Sequence, residues 1–293
     1  MYTLTKLNQV TAAKYRGLTF PSFQSKFTLI PQGLAIAIGA EFLNRPVGLV
    51  LAGIDFRHHT AEVLSVLVLE PYQRMGIGTS LLIALEQELS QRNCTEVRIV
   101  YVTGEPMIAA LEHLLKKLHW SAPIPRQLVC KCDRKMLEAP WLYKYQLPAE
   151  FEVFPWLEIT LEERVALQQQ QEAQVWIPND LIPFKHEQNL EPLNSLGLRY
   201  QGQVVGWVIT HRIAPDIIRY TCSFVRQDLQ KMGRIIPLYV KAIQLQVKAN
   251  IFQAIWTVPL GHISMIHFVK KRMAPYLTSL EETRGSFKSL IEA

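Results

Sequence analysis

Residues 64–82 read Leu64-Ser65-Val66-Leu67-Val68-Leu69-Glu70-Pro71-Tyr72-Gln73-Arg74-Met75-Gly76-Ile77-Gly78-Thr79-Ser80-Leu81-Leu82. An apolar strand runs into a proline-marked turn. A loop spaced Gln73-x-x-Gly76-x-Gly78 then opens directly into an amphipathic helix, with Leu81, Leu82, Leu85 and Leu89 on one face. Glycines let the main chain approach a ligand with no Cβ in the way. The loop and the first helical turn also carry N–H groups without an intrahelical acceptor, at the positive end of the helix dipole. Such a turn suits a pyrophosphate.

The neighbours narrow the choice. A dinucleotide fingerprint requires G-x-G-x-x-G with an acidic residue further on, but the third position after Gly78 is Leu81. A P-loop requires Gly-Lys-Ser/Thr, which is absent. The fifteen positions from Val68 to Leu82 resemble motif A of the GNAT acetyltransferase superfamily, Gln/Arg-x-x-Gly-x-Gly/Ala after an apolar strand. The resemblance implies that acetyl-CoA lies in the splay between the fourth and fifth strands. Main-chain groups of Val66, Leu67 and Val68 would pair with its pantetheine arm. Gln73, Arg74, Met75, Gly76, Ile77, Gly78 and Thr79 would wrap its pyrophosphate.

The 293 residues exceed one such domain and suit two, with 49% hydrophobic and 19% charged residues. No run approaches the ~20 apolar residues that span a bilayer, and Val47 to Ile54 reads as a strand. Met1 to Lys6 lacks a secretory apolar segment, so a cytoplasmic location is expected. Four cysteines are too few and scattered for a disulfide scaffold. Cys130 and Cys132 stand alone, without a second pair or a histidine at ligand spacing, so no metal is expected. The net charge of +6 is spread evenly, sixteen Lys/Arg against twelve Asp/Glu in residues 1–150 and fifteen against thirteen beyond. No basic run points to nucleic acid.

The chain repeats itself. Gln230-Lys231-Met232-Gly233 falls under Gln73-Arg74-Met75-Gly76 at an offset of 157. Arg45 to Val50 answers Gln203 to Val208, Val97 to Val102 answers Gln253 to Val258, and the helix from Met107 answers the one from Met265. The expected fold is therefore α/β (α+β): two GNAT-like domains, 1–138 and 139–293, each a mixed, mostly antiparallel sheet flanked by helices. In the first half strands are expected at 2–7, 33–43, 47–55, 61–69, 95–102 and 127–135, with helices at 9–18, 77–92 and 106–118. An extra helix is expected at 160–173. The stretch Leu137 to Pro148 is apolar for a free linker and is expected to be packed.

The second copy departs from the motif. Ile235 replaces Gly78, and its β-branched side chain would crowd a pyrophosphate. Pro237 is tolerable in a first helical turn but could remove a donor from the cradle, while Arg226, Lys231 and Arg234 could compensate by charge. The second half is thus expected to shape structure or substrate without holding a cofactor.

For catalysis the resemblance implies Glu62, eleven residues before Gln73, as general base for an amine acceptor. It would share a strand face with Leu64, Val66 and Val68, a partly apolar setting that would raise its pKa. His58 and His59 are alternative bases. The superfamily's late tyrosine, in a pattern like Tyr-x-Lys-x-Gly-Phe, is missing from Leu115-Lys116-Lys117-Leu118-His119-Trp120, which leaves Tyr101 as the candidate acid. The leading reading is an acetyl-CoA-dependent N-acetyltransferase acting on an amine by direct transfer in a ternary complex. The alternative is a weakly active or inactive assembly factor that docks a protein partner through Trp141, Tyr143, Tyr145, Trp156 and Trp176.

Overall fold

The computed structural model describes residues 1–144, 146–230 and 232–291. Tyr145 and Lys231, both singled out above, lie outside the described residues. The strands are Thr3–Lys6 (β1), Ala35–Phe42 (β2), Arg45–Asp55 (β3), Thr60–Val68 (β4), Glu96–Val102 (β5), Ile124–Cys132 (β6), Phe151–Pro155 (β7), Leu196–Tyr200 (β8), Gln203–Ala214 (β9), Ile217–Val225 (β10), Gln253–Pro259 (β11) and Ser279–Ser289 (β12). The α-helices are Ile77–Ser90 (α1), Ile108–Lys117 (α2), Leu161–Ala173 (α3), Gln227–Gln230 (α4), Ile235–Lys248 (α5) and Ile263–Phe268 (α6). The class is the expected one.

Two compact units make up the chain. Unit 1 comprises Met1–Arg126 with Glu282–Ala293, and unit 2 comprises Gln127–Glu281. Unit 1 orders its strands β1-β2-β3-β4-β5-β12 and unit 2 orders its own β7-β8-β9-β10-β11-β6. In each unit only the fourth and fifth strands are parallel, β4 with β5 and β10 with β11. The sixth place is where the compact units part from a division at residues 138 and 139. Unit 1 fills it with β12 from the far end of the chain, Thr283–Ser289 pairing with Glu96–Val102. Unit 2 fills it with β6, Gln127–Cys132 pairing with Ala254–Pro259.

β2 and β3 read as continuous apolar runs because both their faces are covered. One face packs on α1, whose Leu81, Leu82, Leu85 and Leu89 are fully buried. At roughly 1.5–3 kcal/mol for each buried leucine, this helix face is a principal source of unit 1 stability. The other face packs on two 3₁₀ segments, Thr11–Leu18 and Pro21–Leu29. The first takes the place of the expected α-helix at 9–18. Its buried Ala12, Tyr15 and Leu18 recur every third residue, the period of a 3₁₀ turn and not of an α-helix.

Hydrogen bonds reproduce the repeat register atom for atom. Gln73 Nε2 donates to the Val68 carbonyl at 3.0 Å, and Gln230 Nε2 to that of Val225 at 2.8 Å. The helices also end alike. Asn93 and Asn250 both take a left-handed φ of 59°. Just beyond them Cys94 N donates to Leu89 O and Ile251 N to Gln246 O, each at 3.1 Å. These are paired Schellman-type ends, in which a left-handed residue satisfies the last carbonyls. The connection around Met136, Ala139, Trp141 and Leu142 is packed into the unit 2 core, as its apolar composition requires. Among the described residues no helix is long and apolar enough to cross a membrane.

Candidate cofactor-binding site

In unit 1 the parallel pairing of β4 and β5 covers only Thr60–Val63 against Glu96–Ile99. Among the described residues β4 has no strand partner on its β5 side from Leu64 onward, so the main chain of Val66, Leu67 and Val68 forms a free edge there. β4 then turns through Glu70–Tyr72 into the glycine loop. Arg74 and Gly76 adopt left-handed φ values of 61° and 82°, and α1 starts at Ile77. Among the described residues the backbone N–H groups of residues 74–79 have no hydrogen-bond partner, and the first one engaged is Ser80 N, on Gly76 O at 3.0 Å. Six consecutive free donors at the positive end of a fourteen-residue helix make a strong anion cradle.

Gly78 has no structural reason to be glycine. Its φ is not left-handed, and an added Cβ would lie 3.4 Å from Leu114 Cδ2 and 3.8 Å from Val68 Cγ2, ordinary contacts. What the chain gains is a main chain that a ligand can approach with no side chain in between. That bare main chain and the six donors fit the pyrophosphate of acetyl-CoA. Among the described residues no cluster of side chains could hold a metal ion.

Two neighbours escaped sequence reasoning. Tyr2 Oη lies 2.8 Å from Ser80 Oγ and is the nearest atom to a Cβ built on Gly76, at 3.9 Å. Met107 meets the Gln73 amide at 3.7 Å. No local pattern flags either, since Tyr2 and Ser80 are 78 positions apart in the chain.

The expected setting of Glu62 needs correction. Leu51 pairs with Ser65 but Ala52 with Val63, so Leu64 is an extra residue in β4. This bulge reverses the alternation of faces. Ala61, Val63, Val66 and Val68 pack toward the core under α1, whereas Leu64 packs against the 3₁₀ layer. Glu62 therefore does not share a face with Val66 and Val68, and it is exposed. Its register neighbours are Gly53 and Arg98.

Tyr101 is buried on β5. Its hydroxyl donates to Glu112 Oε1 at 2.9 Å, and Arg284 Nη1 donates to the same oxygen at 2.9 Å. Burial, followed by the Glu112 hydrogen bond and charge, pushes its pKa well above the usual phenol value. Leu115, at the missing tyrosine, is a core residue. His119, at the pattern's glycine, keeps the glycine-like φ of 61°. His58 Nδ1 lies 2.7 Å from Asp55 Oδ2 in the β3–β4 hairpin, at the end of β4 opposite the loop.

The second copy is built differently at the same register. Gly233 is left-handed like Gly76, with φ 65°. Met232 N, however, bonds Leu229 O at 3.3 Å, Gly233 N bonds Gln230 O at 2.9 Å, and Ile236 N bonds Gly233 O at 3.0 Å. Their counterparts Met75, Gly76 and Thr79 are free. Pro237 does not remove a cradle donor, contrary to expectation. It corresponds to Ser80, whose N–H already serves the helix. Nor is Arg226 available as a spare charge, because it pairs with Asp228 at 2.8 and 3.0 Å.

The aromatics read as protein-docking anchors also need correction. Trp141 and Trp156 are buried, Trp156 among Phe154, Phe184 and Trp207. Trp176 packs on Trp207 and Phe224. Their apolar surface is spent inside unit 2, and of the five only Tyr143 is among the exposed large side chains described.

Residues 7–116 match the model of the Acetyltransferase (GNAT) family. No curated protein sequence matches the chain significantly. Among solved structures, a tandem GNAT protein from the clavulanic acid biosynthesis pathway is similar over 100% of both chains, with TM-score 0.65 and 12% identity. A GCN5-related N-acetyltransferase from Sphaerobacter thermophilus covers 100% of this chain and 96% of its own, with TM-score 0.63 and 14% identity. A GCN5-related glucosamine N-acetyltransferase region of a fungal multi-domain GH3 β-N-acetylglucosaminidase covers 98% of this chain and 38% of its own, with TM-score 0.62 and 14% identity. At these identities the likeness is one of fold.

Proposed function

Given a GNAT acetyltransferase domain over residues 7–116 and a tandem GNAT fold over the whole chain, we propose that the protein is an acetyl-CoA-dependent N-acetyltransferase whose single cofactor site lies in unit 1. The observation that carries this reading is the run of six free N–H groups at residues 74–79. When bound, acetyl-CoA supplies the activated acyl thioester.

The free edge of β4 at Val66, Leu67 and Val68 orients the pantetheine arm as an added strand would be oriented. Leu67, Met75 and Met107 are between 39% and 49% exposed and give that arm an apolar border. Arg74 stands exposed beside the donors and adds positive charge. The acceptor is an amine of a small molecule or protein, attacking directly in a ternary complex.

Glu62 holds the amine proton. Because its carboxylate is exposed and faces away from the α1 core, it works through solvent on the open sheet face that it shares with Arg98. Tyr101 is the remaining candidate to return a proton to the thiolate. Its engaged, weakly acidic hydroxyl gives it a secondary part, and a CoA thiolate can also take its proton from water.

Calorimetric titration with acetyl-CoA tests the reading. One molecule is expected per chain, with at least 100-fold weaker binding in Gly78→Ile, whose larger side chain fills the space beside the donors. Absence of binding to the unaltered chain would refute the assignment. For the base, Glu62→Gln is expected to lower the turnover rate while leaving acetyl-CoA binding unchanged; an unchanged rate removes Glu62 from that role.

A further inference from the structure

The second copy contains a cavity of about 800 Å³, within the range of small-molecule sites. It lies wholly in unit 2, where β10 and β11 part after their parallel pairing of Ile217–Tyr220 with Gln253–Trp256. Its wall is mostly hydrocarbon and aromatic, including Met136, Tyr239, Met265 and Phe268.

Three tryptophans on that wall, Trp141, Trp176 and Trp256, carry buried indole N–H groups that have no hydrogen-bond partner among the described residues. Trp141 is 5% exposed and Trp256 8%. A buried donor left unpaired costs about 1–3 kcal/mol, and three around one cavity are far from the norm for a folded chain. Two phenols on the wall are satisfied internally. Tyr220 Oη donates to Gln246 Oε1 at 3.0 Å, and Tyr239 Oη lies 2.6 Å from Ser223 Oγ. The unmet demand of the three indoles is for acceptors.

The cavity does not suit a nucleotide cofactor. Met232, Gly233 and Ile236 of the adjoining loop donate to the chain itself, and Arg226 is paired with Asp228. Cys132 also lines the cavity. Burial pushes its thiol up to about 12, so at neutral pH it is a neutral wall group and not a nucleophile.

We infer that the unit 2 cavity binds a neutral, largely aromatic or aliphatic molecule whose carbonyl-type oxygens accept from Trp141, Trp176 and Trp256. Recognition is by shape and by neutral N–H donors, with no charge required.

Benzophenone and its hydrocarbon counterpart diphenylmethane test this on the intact chain, since they differ chiefly by one carbonyl. Saturable binding of benzophenone near one per chain is expected, at least tenfold tighter than diphenylmethane. Irradiation of the complex should label peptides containing Met136, Met265 or Met273. Trp256→Phe and Trp141→Phe should each narrow the difference between the two probes. The wild-type comparison stands even if a variant fails to fold. Equal affinity for both probes, no saturable binding, or labelling confined to unit 1 would overturn the inference. So would displacement of benzophenone by acetyl-CoA in the Gly78→Ile chain, which would make the cavity a cofactor site. None of these outcomes depends on whether unit 1 catalyses transfer.

Discussion

The turn at residues 73–79 and the turn at residues 230–236 share a glutamine lock on the preceding strand and a left-handed glycine, yet the first leaves six consecutive donors free while the second engages three of their counterparts. In the first, the N–H groups of residues 74–79 lack acceptors and Gly78 adds clearance. In the second, Met232, Gly233 and Ile236 donate to the chain itself. An anion site of this kind depends on backbone groups being withheld from the fold. The two copies share one strand order and differ in how far the turn uses its own donors. In unit 2 the place where the strands part is lined as a mostly apolar cavity.

The largest expected effect concerns the strand that completes each sheet. Deleting residues 282–293 removes β12 from unit 1 and strips Glu96–Val102 of a partner. Buried Ser286, which donates to Ser121 O at 2.8 Å, and the Arg284–Glu112 ion pair go with it. Hydrogen exchange in β5 should rise to the unfolded rate and acetyl-CoA binding should vanish, while β8–β10 of unit 2 remain protected. Persistence of cofactor binding would show that the first copy is complete without its distant strand.

Next in size are two matched glycines. A Cβ at Gly39 would lie 2.3 Å from the Tyr15 ring, and one at Gly197 2.2 Å from the Phe154 ring. Overpacking of this kind costs about 1–3 kcal/mol. Gly39→Ala and Gly197→Ala should therefore lower the urea midpoints of units 1 and 2 respectively. If only one does, the two copies tolerate strain differently.

Alkaline pH should separate the units more gently. Burial pushes Cys130, Cys132 and Cys222 of unit 2 up to about 12 from 9.0, whereas unit 1 holds the single raised thiol of Cys94. A thiol whose folded pKa is raised stabilises the fold fully below the unfolded pKa, and that contribution is lost as pH climbs toward the folded value. Unit 2 should therefore weaken first between pH 9.0 and about 12, read by exchange of its core amides, with no change near neutrality. The smallest expected effect is none at all. Ile235→Gly alone should not confer acetyl-CoA binding on unit 2, because clearance does not free the three engaged donors, and a calorimetric gain would show that clearance was the only defect.

Much of this was legible in the chain. The loop from Gln73 to Thr79, the buried leucine face of α1 and the repeat at an offset of 157 are local patterns, and Asn93 and Asn250 offered a further signal at the same offset. Legibility failed where an effect was not local. The extra residue Leu64 reversed the face of Glu62, because a bulge is defined by the partner strand β3 and not by β4 alone. Trp141 and Trp156 looked like surface anchors because aromatic content does not reveal what will cover it. Tyr2 reached the cradle from the first strand, across a separation that no motif spans.

By itself the sequence determined which segments become strands and helices, that the chain carries two copies of one unit, and which copy keeps an open glycine loop. These follow from side-chain periodicity and from the conformational freedom of Gly76 and Gly78, properties held within a few residues. Tertiary structure alone decided which N–H groups stay free, which strand completes each sheet, and that the parted strands of unit 2 enclose three unsatisfied indoles. Those outcomes depend on hydrogen-bond partners and packing neighbours, and a partner is fixed only when distant parts of the chain meet.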